Sequence, residues 1–553
     1  MEASSNNSKD FFIARLLVVT IRQFFNSTSL HGFKYLIKLG ISTFEKLLWY
    51  VIQLCALAGA GYIFLYALDG FVSKPTVTSL ETLDHPIWEI PFPAVSVCSV
   101  NKISRSRAME YAIELSKKTK NHTFDWLFRN IRHLGYTLDF NTEFYDEYII
   151  FQDLLDVIDI NNQTKVYDTQ EKFEFKITPK CEDLLVRCRW GNSPHIDCMK
   201  LFKFRKTRDG YCCLFNYVRQ FNTLSTQDVE KPLKTGYTGS DVGLTVILNT
   251  TTSDYYFSTG DHVGYTIQIF NPSDFADVQN GGLTQLFVDA NTKANFKLIP
   301  TTIESESAIA QYSPIQRGCL FEHELFEQYA GHYSFVDCLL KCKLRSIIAM
   351  CGCMPFFLPT NFPDGTFTPV KCTLAHNKCL ERIKYVISSY TIPNTEKPSD
   401  GTIECLQCLP ICSKTNFRVE ASYYELDRNG LKESTMPMLK NLTTFDDIAI
   451  VHIYYPLVDS TLFRADVLMT WQEIVSNFGG LLGLCLGFSL VNLVEIVYFA
   501  TIKLYQNISL VNGQQKMKAI QQNSRLTKED KRIREMYVND FKVNDIKVFR
   551  HRT

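Results

Sequence analysis

Gly479 to Phe499, GGLLGLCLGFSLVNLVEIVYF, is long and apolar enough to cross a bilayer, yet it holds Gly479, Gly480, Gly483, Gly487, Asn492 and Glu495. A plain lipid anchor needs none of them. Gly487, Phe488 and Ser489 interrupt the helix-forming pattern near mid-span, where irregular backbone is tolerated only if it is buried in protein or lines a water-filled cavity. The segment reads as one wall of an ion pore.

A second span fits the same rule: Leu47 to Leu68, LLWYVIQLCALAGAGYIFLYAL, has only Gln53 as a strongly polar interior group. Nothing between the two is apolar for long enough to make a third. Before the first span Lys9, Arg15, Arg22, Lys34, Lys38 and Lys46 outnumber Asp10 and Glu45, and the tail after Phe499 is rich in Lys and Arg. The positive-inside rule therefore places both termini in the cytoplasm and the roughly 400 residues between the spans outside. The apolar run Phe11 to Thr20 is short and lacks small-residue cleavage chemistry after it, so the first span itself directs insertion. The expected segments are a cytoplasmic N-terminus (1–46), a first span (47–68), an extracellular domain (69–470), a pre-pore segment with the second span (471–500) and a cytoplasmic tail (501–553).

A formal net charge of +0 argues against a nucleic-acid partner, and 553 residues with 46% hydrophobic content can bury a large ectodomain. Of the 18 cysteines, Cys55 and Cys485 lie in the spans; the even remainder falls in the segment placed outside, as a disulfide framework in an oxidising compartment requires. Sequons at Asn121, Asn162, Asn249 and Asn441 share that side, whereas those at Asn6, Asn26 and Asn507 are cytoplasmic and should stay bare.

Within the ectodomain, the alternation of IPFPAVSVCSV up to Val100 reads as a strand, as do VGLTVIL and YTIQIF between Asp241 and Asn271, and the later runs Thr415 to Tyr424 and Ile448 to Tyr455. These are expected to pair into one central sheet. Ser104 to Ser116, Phe124 to Leu134 and the long stretch Phe321 to Met350 read as helices. The fold class is an α+β membrane protein, two transmembrane helices flanking a disulfide-rich extracellular domain.

Cysteines crowd between Cys319 and Cys412. Cys338 and Cys342 stand one helical turn apart on one face, so both can reach the closely spaced Cys405 and Cys408 on a returning segment. Zinc is the competing reading, because Cys405-x-x-Cys408 and Cys351-x-Cys353 have ligand-like spacing. Thiolates facing an oxidising compartment pair instead, so no metal and no cofactor is expected.

Several blocks, in order, resemble the degenerin/epithelial sodium channel family, most closely its insect pickpocket branch. They are His31-Gly32 before the first span, FPAVSVC at Phe92 to Cys98, CLLKCKLRSIIAMCGCMPFFLP at Cys338 to Pro359, CLQCLPIC at Cys405 to Cys412 and GGLLGLCLGFS in the second span. The resemblance implies a trimeric, sodium-selective, amiloride-sensitive channel subunit at the plasma membrane, gated by an extracellular ligand, osmotic or mechanical stimulus. Its partners would be sodium ions as permeant and related subunits in a homo- or heterotrimer. The ectodomain would be arranged as palm, finger and thumb, with 319–412 as the thumb. It also implies the pairs Cys319 with Cys412, Cys338 with Cys408, Cys342 with Cys405, Cys351 with Cys379, Cys353 with Cys372, Cys98 with Cys212 and Cys188 with Cys198. Cys181 and Cys213 then remain for each other.

The family's filter is Gly-x-Ser, here Gly487, Phe488 and Ser489, where many relatives have a small middle residue. Without a side chain, Gly487 lets the backbone leave helical geometry, so that carbonyls near Gly487 and Ser489 can replace part of an ion's hydration shell. Ser489, Asn492 and Glu495 fall at helical spacing and are candidates to line the inner pore; the bland alternative has Asn492 bridging helices and Glu495 reaching the interface. Ser476 aligns with the family's degeneration site, a gate position, and Asn477 stands beside it at the outer mouth. His31 and Gly32 take a gating role only through the resemblance, in a cytoplasmic loop beneath the pore.

Two other classes compete. A two-span trimeric nucleotide-gated channel would need clustered ectodomain lysines and leaves FPAV and the thumb block unexplained. A non-conducting or modulatory subunit, or a two-span surface receptor, is the alternative. No nucleophile, base and orienting group form a recognisable motif, so an enzyme is not expected.

Overall fold

The strand Thr292–Ser305 alternates buried and part-exposed side chains along nearly its whole length, the signature of a ladder with one face on a core. One flank pairs antiparallel with Lys414–Glu425; the other takes Ile448–Tyr454 along its first half and Asp459–Val467 along its second, both parallel. Thr76–Pro86 then extends the sheet beyond Asp459–Val467, while Leu244–Asn249 and Leu185–Trp190 extend it beyond Ile448–Tyr454, giving seven strands. A second, five-stranded antiparallel sheet runs in the order Thr284–Asp289, Gly264–Phe270, Ala94–Ser99, Gly210–Phe215, Phe202–Thr207. This is a computed structural model; it describes residues 17–510 except 39, 74, 120, 162–174, 194–195, 220–230, 325–332, 360–369, 393–400, 428–437 and 440–446, together with 513, 516 and 532.

The five strand-like runs therefore divide between two sheets instead of forming one. AVSVCS and YTIQIF enter the five-stranded sheet; the other three enter the seven-stranded sheet. Val95, Val97, Phe215, Ile267 and Ile269 of the one share a core with Val246, Leu248, Phe296, Val451 and Ile453 of the other. Each such side chain is worth about 1.5–3 kcal/mol of burial. Ala94–Ser99 is buried at every position because its second face packs in another cluster, with Cys212, Leu214 and Phe270.

Helix Arg105–Lys118 starts where Ser104 Oγ accepts from the Arg107 N–H, and Phe124–Ile131 where Thr123 does the same for Trp126. They bury Tyr111, Leu115, Leu127 and Ile131 against Tyr148, Phe151 and Leu155 of a third helix, Tyr145–Asn161. The long helix expected over Phe321 to Met350 is shorter: Phe321 to Glu324 form a turn, with Glu324 accepting from the Phe321 N–H at 2.8 Å and pairing with Arg317, and the helix spans Phe335–Cys351. Gly352, at φ 69°, ends it.

Eight disulfides join Cys98–Cys212, Cys181–Cys213, Cys188–Cys198, Cys319–Cys412, Cys338–Cys408, Cys342–Cys405, Cys351–Cys379 and Cys353–Cys372. Cys55 and Cys485 are free. Both sheets and all eight disulfides belong to one compact unit, Thr76–Val467; the chain up to Pro75 and from Leu468 onward, with Cys55 and Cys485, forms the other.

That second unit holds an apolar helix, Thr43–Ser73, long enough to cross a membrane, and a bent pair of helices whose axes turn by 71° at residues 487–489. The pair begins with Trp471–Leu486 and resumes with Leu490–Tyr498, followed by a π-helical turn, Phe499–Lys503. A further helix covers residues 17–27. Phe64 and Phe478 meet with ring centroids 4.5 Å apart, and Phe24 reaches Phe499 at 5.5 Å.

Candidate pore site at the break in the second span

Trp471–Leu486 is started by Thr470, whose hydroxyl accepts from the Glu473 N–H while Glu473 reaches back to the Thr470 N–H at 2.7 Å. It stops at Gly487, which sits in the left-handed region at φ 68° and donates its N–H to Gly483 O at 2.9 Å. The Phe488 N–H returns to Leu482 O at 3.2 Å, and the Phe488 carbonyl lies 3.6 Å from where a Cβ on Gly483 would stand.

The next helix restarts from Ser489. Asn492 Oδ1 accepts from both the Ser489 N–H, at 2.9 Å, and its hydroxyl, at 2.5 Å, while the Ser489 carbonyl accepts from the Asn492 N–H at 3.0 Å. The carbonyls inside the break are unequal as a result. Leu486 O and Ser489 O are occupied, whereas among the described residues no N–H donates to Gly487 O or Phe488 O.

What occupies Leu486 O is the N-terminal loop: the His31 N–H donates to it at 2.9 Å. The His31 ring lies so close to Gly487 that a Cβ there would stand 2.6 Å from Cδ2. His31 O in turn accepts from Gln53 Nε2 of the first apolar helix at 2.6 Å, and Gly32, at φ 80°, leaves no room for a side chain against that amide. One dipeptide therefore ties the break to the other apolar helix. A turn earlier, Ser29 Oγ accepts from Asn492 Nδ2 at 2.9 Å, and Thr28 and Ser29 hydroxyls donate to Glu495 at 3.3 and 3.5 Å. Among the described residues no Lys or Arg pairs with Glu495.

The structure thus gathers His31, Gly32, Gly487, Ser489, Asn492 and Glu495 into one cluster. Asn492 is 1% exposed, and in the single chain it is turned to Ser489 and Ser29. Ser476 and Asn477 stand apart, exposed on Trp471–Leu486, with Asn477 Nδ2 3.5 Å from Met469 Sδ. Thr28, Ser29 and Gln53 have no assigned role in the sequence reading; Gln53, as the lone polar group in an apolar span, is the one that carries a signal. Of the sequons, Asn121 lies exposed in a turn and Asn249 half-buried at a strand end, while Asn162 and Asn441 lie outside the described residues.

In the Thr76–Val467 unit, burial lifts the Asp274 carboxyl to about 6 even though Ser334 Oγ donates to it at 2.6 Å. His85 is buried and 4.0 Å from Glu89. Among the described residues there is no cluster suited to hold a metal.

A disulfide-rich, two-sheet unit, set in the chain between an apolar helix and a bent apolar pair, defines the class of protein. The sequence model of the amiloride-sensitive sodium channel family matches residues 24–499, and the chain belongs to that family. Pickpocket protein 28 of Drosophila melanogaster is 23% identical over 91% of this chain and 82% of its own length. Sodium channel protein Nach of the same organism is 22% identical (89% and 88%), and acid-sensing ion channel 1C of Danio rerio 22% identical (90% and 86%). These relatives are channels, not enzymes.

Proposed function

We propose that this chain is a subunit of a sodium-selective, amiloride-sensitive channel of the plasma membrane, with both termini cytoplasmic and three subunits around one pore. The seven-stranded sheet serves as palm, the helices from Arg105 to Asn161 as finger and 319–412 as thumb. The observation that carries the reading is the break itself: among the described residues no N–H donates to Gly487 O or Phe488 O, while the backbone that presents them is braced by His31. Three copies of such a break would give a ring of carbonyls able to replace part of a sodium ion's water shell. Ser489 contributes its hydroxyl oxygen and Asn492 fixes that hydroxyl. Glu495 holds negative charge beneath the ring, where it concentrates cations.

Ser476 is the gate in this reading, a small residue that lets pore helices approach when closed. The test replaces Ser476 with Val, expresses the chain alone in a cell with low background and records whole-cell current in sodium or potassium, with and without amiloride. A constitutive, sodium-preferring, amiloride-blocked current absent from the unmodified chain is expected. Silence with confirmed surface delivery overturns the autonomous channel and leaves the second reading, a modulatory subunit that conducts only beside a relative. One observation favours that alternative: Phe488 places a bulky ring at the middle filter position.

A further inference from the structure

The strands Leu185–Trp190, Leu244–Asn249 and Ile448–Tyr454 turn one face to the two-sheet core and leave Arg189, Thr245, Ile247, Ile450 and His452 on the other. Over that second face lie Met438 and Leu439, buried to 5% and 4% exposure and clustered with Ile247 and Ile450, and these residues border a cavity of about 230 Å³. Ile247, Ile450, Met438 and Leu439 make its apolar walls; Arg189, Thr245 and His452 make its polar end, and the exposed Asp241 also borders it.

The polar end is unfinished. Arg189 is half-buried, its Nη2 donates to Thr245 Oγ1 at 3.2 Å and to Ser240 O at 3.4 Å, and its Nε has no partner; among the described residues no carboxylate pairs with it. His452, 3% exposed, meets Thr245 Oγ1 with Nδ1 at 2.9 Å and leaves Nε2 buried without a partner. Thr245 Oγ1 accepts from the guanidinium and still has both a hydrogen and a second lone pair for Nδ1; with its hydrogen turned to Nδ1 the ring carries its own proton on Nε2, the tautomer that an acceptor in the cavity selects. Burial holds the imidazole down to about 3, with Lys293 and Arg189 adding to the effect, so the ring is a neutral donor throughout the physiological range. Arg189 Nε and His452 Nε2 are thus buried without partners, beside a guanidinium that no carboxylate among the described residues pairs with. Each such orphan costs free energy that an acceptor would recover.

We propose that this cavity is a binding site for a small monocarboxylate with an apolar tail, the carboxylate on Arg189 and His452 and the tail between Ile247, Ile450 and Leu439. A guanidinium favours a carboxylate over a neutral acceptor, because charge-assisted bonds are about twice as strong. Size sets the tail: a cavity of 150 Å³ holds benzene, so this one takes roughly eight to ten heavy atoms. Hexanoate fits that range. The exposed Asp241 at the border repels a dianion about twice as strongly as a monoanion, which favours a single negative charge.

The test reads binding, not current, so it stands whether or not the chain conducts alone. The full chain in lipid nanodiscs is titrated with radiolabelled hexanoate against empty discs, with unlabelled hexanol and hexylammonium as competitors. Saturable hexanoate binding is expected, with both competitors at least roughly tenfold weaker, the difference one charge-assisted contact makes. Arg189→Gln should weaken hexanoate by at least roughly tenfold and leave hexanol unchanged. Leu439→Trp, which fills the tail space from the other side, should abolish binding of both while the chain elutes normally with its disulfides formed. Binding that does not saturate, an Arg189→Gln chain within about twofold of the original, or full binding by Leu439→Trp would each overturn the assignment.

Discussion

Gly487 is held by two independent constraints. Its φ of 68° lies where any L side chain is strained, by about 1–2 kcal/mol, and its Cα faces the His31 ring at a distance that excludes a methyl group. Gly487→Ala should therefore abolish the current of the Ser476→Val chain without reducing surface delivery. Adding His31→Ala removes the ring contact but not the backbone strain, so it should restore only part of the current. Undiminished current with unchanged sodium preference in Gly487→Ala would show that the break is not needed for conduction. The residue types of this cluster were legible in sequence, since a glycine in mid-span and an Asn and Glu in an apolar run each announce themselves. Their contacts were not: nothing in spacing says that Ser489 O is spent on helix Leu490–Tyr498 while Phe488 O takes no N–H from any described residue. Nor does spacing tell that Asn492 reaches Ser29, 463 positions away in the chain.

Strands were legible one at a time because alternation has a period of two, but alternation does not say which sheet a strand joins. Ala94–Ser99 illustrates the limit, since its two faces enter two different cores and every position is buried. Helix Tyr145–Asn161 had a usable signal in the spacing of Tyr148, Phe151, Leu155 and Ile158, all buried. The strands Thr76–Pro86 and Thr292–Ser305 had little, being rich in Thr, Lys, Asn and Glu and stabilised by partners remote in sequence. Among the cysteines, the even count declares a closed framework but cannot choose partners. The bridges are nested: Cys342–Cys405 lies inside Cys338–Cys408, and Cys353–Cys372 inside Cys351–Cys379, so each inner bridge adds only a short loop to one already closed. In the chain-entropy picture a short loop contributes less than a long one. Replacing Cys342 and Cys405 together by Ser should therefore lower the melting midpoint of the Thr76–Val467 unit much less than replacing Cys338, Cys342, Cys405 and Cys408 together, and equal shifts would point to local packing rather than loop closure as the source.

At the scale of the whole chain, the distribution of sulfur and of sequons makes a joint claim about sidedness. Every disulfide lies within Thr76–Val467, and the free Cys55 and Cys485 lie outside it. If that unit faces the extracellular side, glycans belong on it and nowhere else. Asn121 is exposed in a turn before helix Phe124–Ile131 and is open to the transferase. Asn249 is less available: its Oδ1 accepts from the Thr251 N–H at 3.3 Å and its carbonyl accepts from the Tyr265 hydroxyl at 2.5 Å. Asn507 belongs to the other unit, where its Nδ2 donates to Thr20 and Gln23. Expressed in cells, the chain should lose mass on treatment with N-glycosidase, Asn121→Gln should remove one full step, and Asn249→Gln a step of lower occupancy. Asn26→Gln and Asn507→Gln should change nothing. A glycan mapped to Asn26 or Asn507 would put the termini outside and reverse the orientation on which the gate, the filter and the loop beneath it all depend.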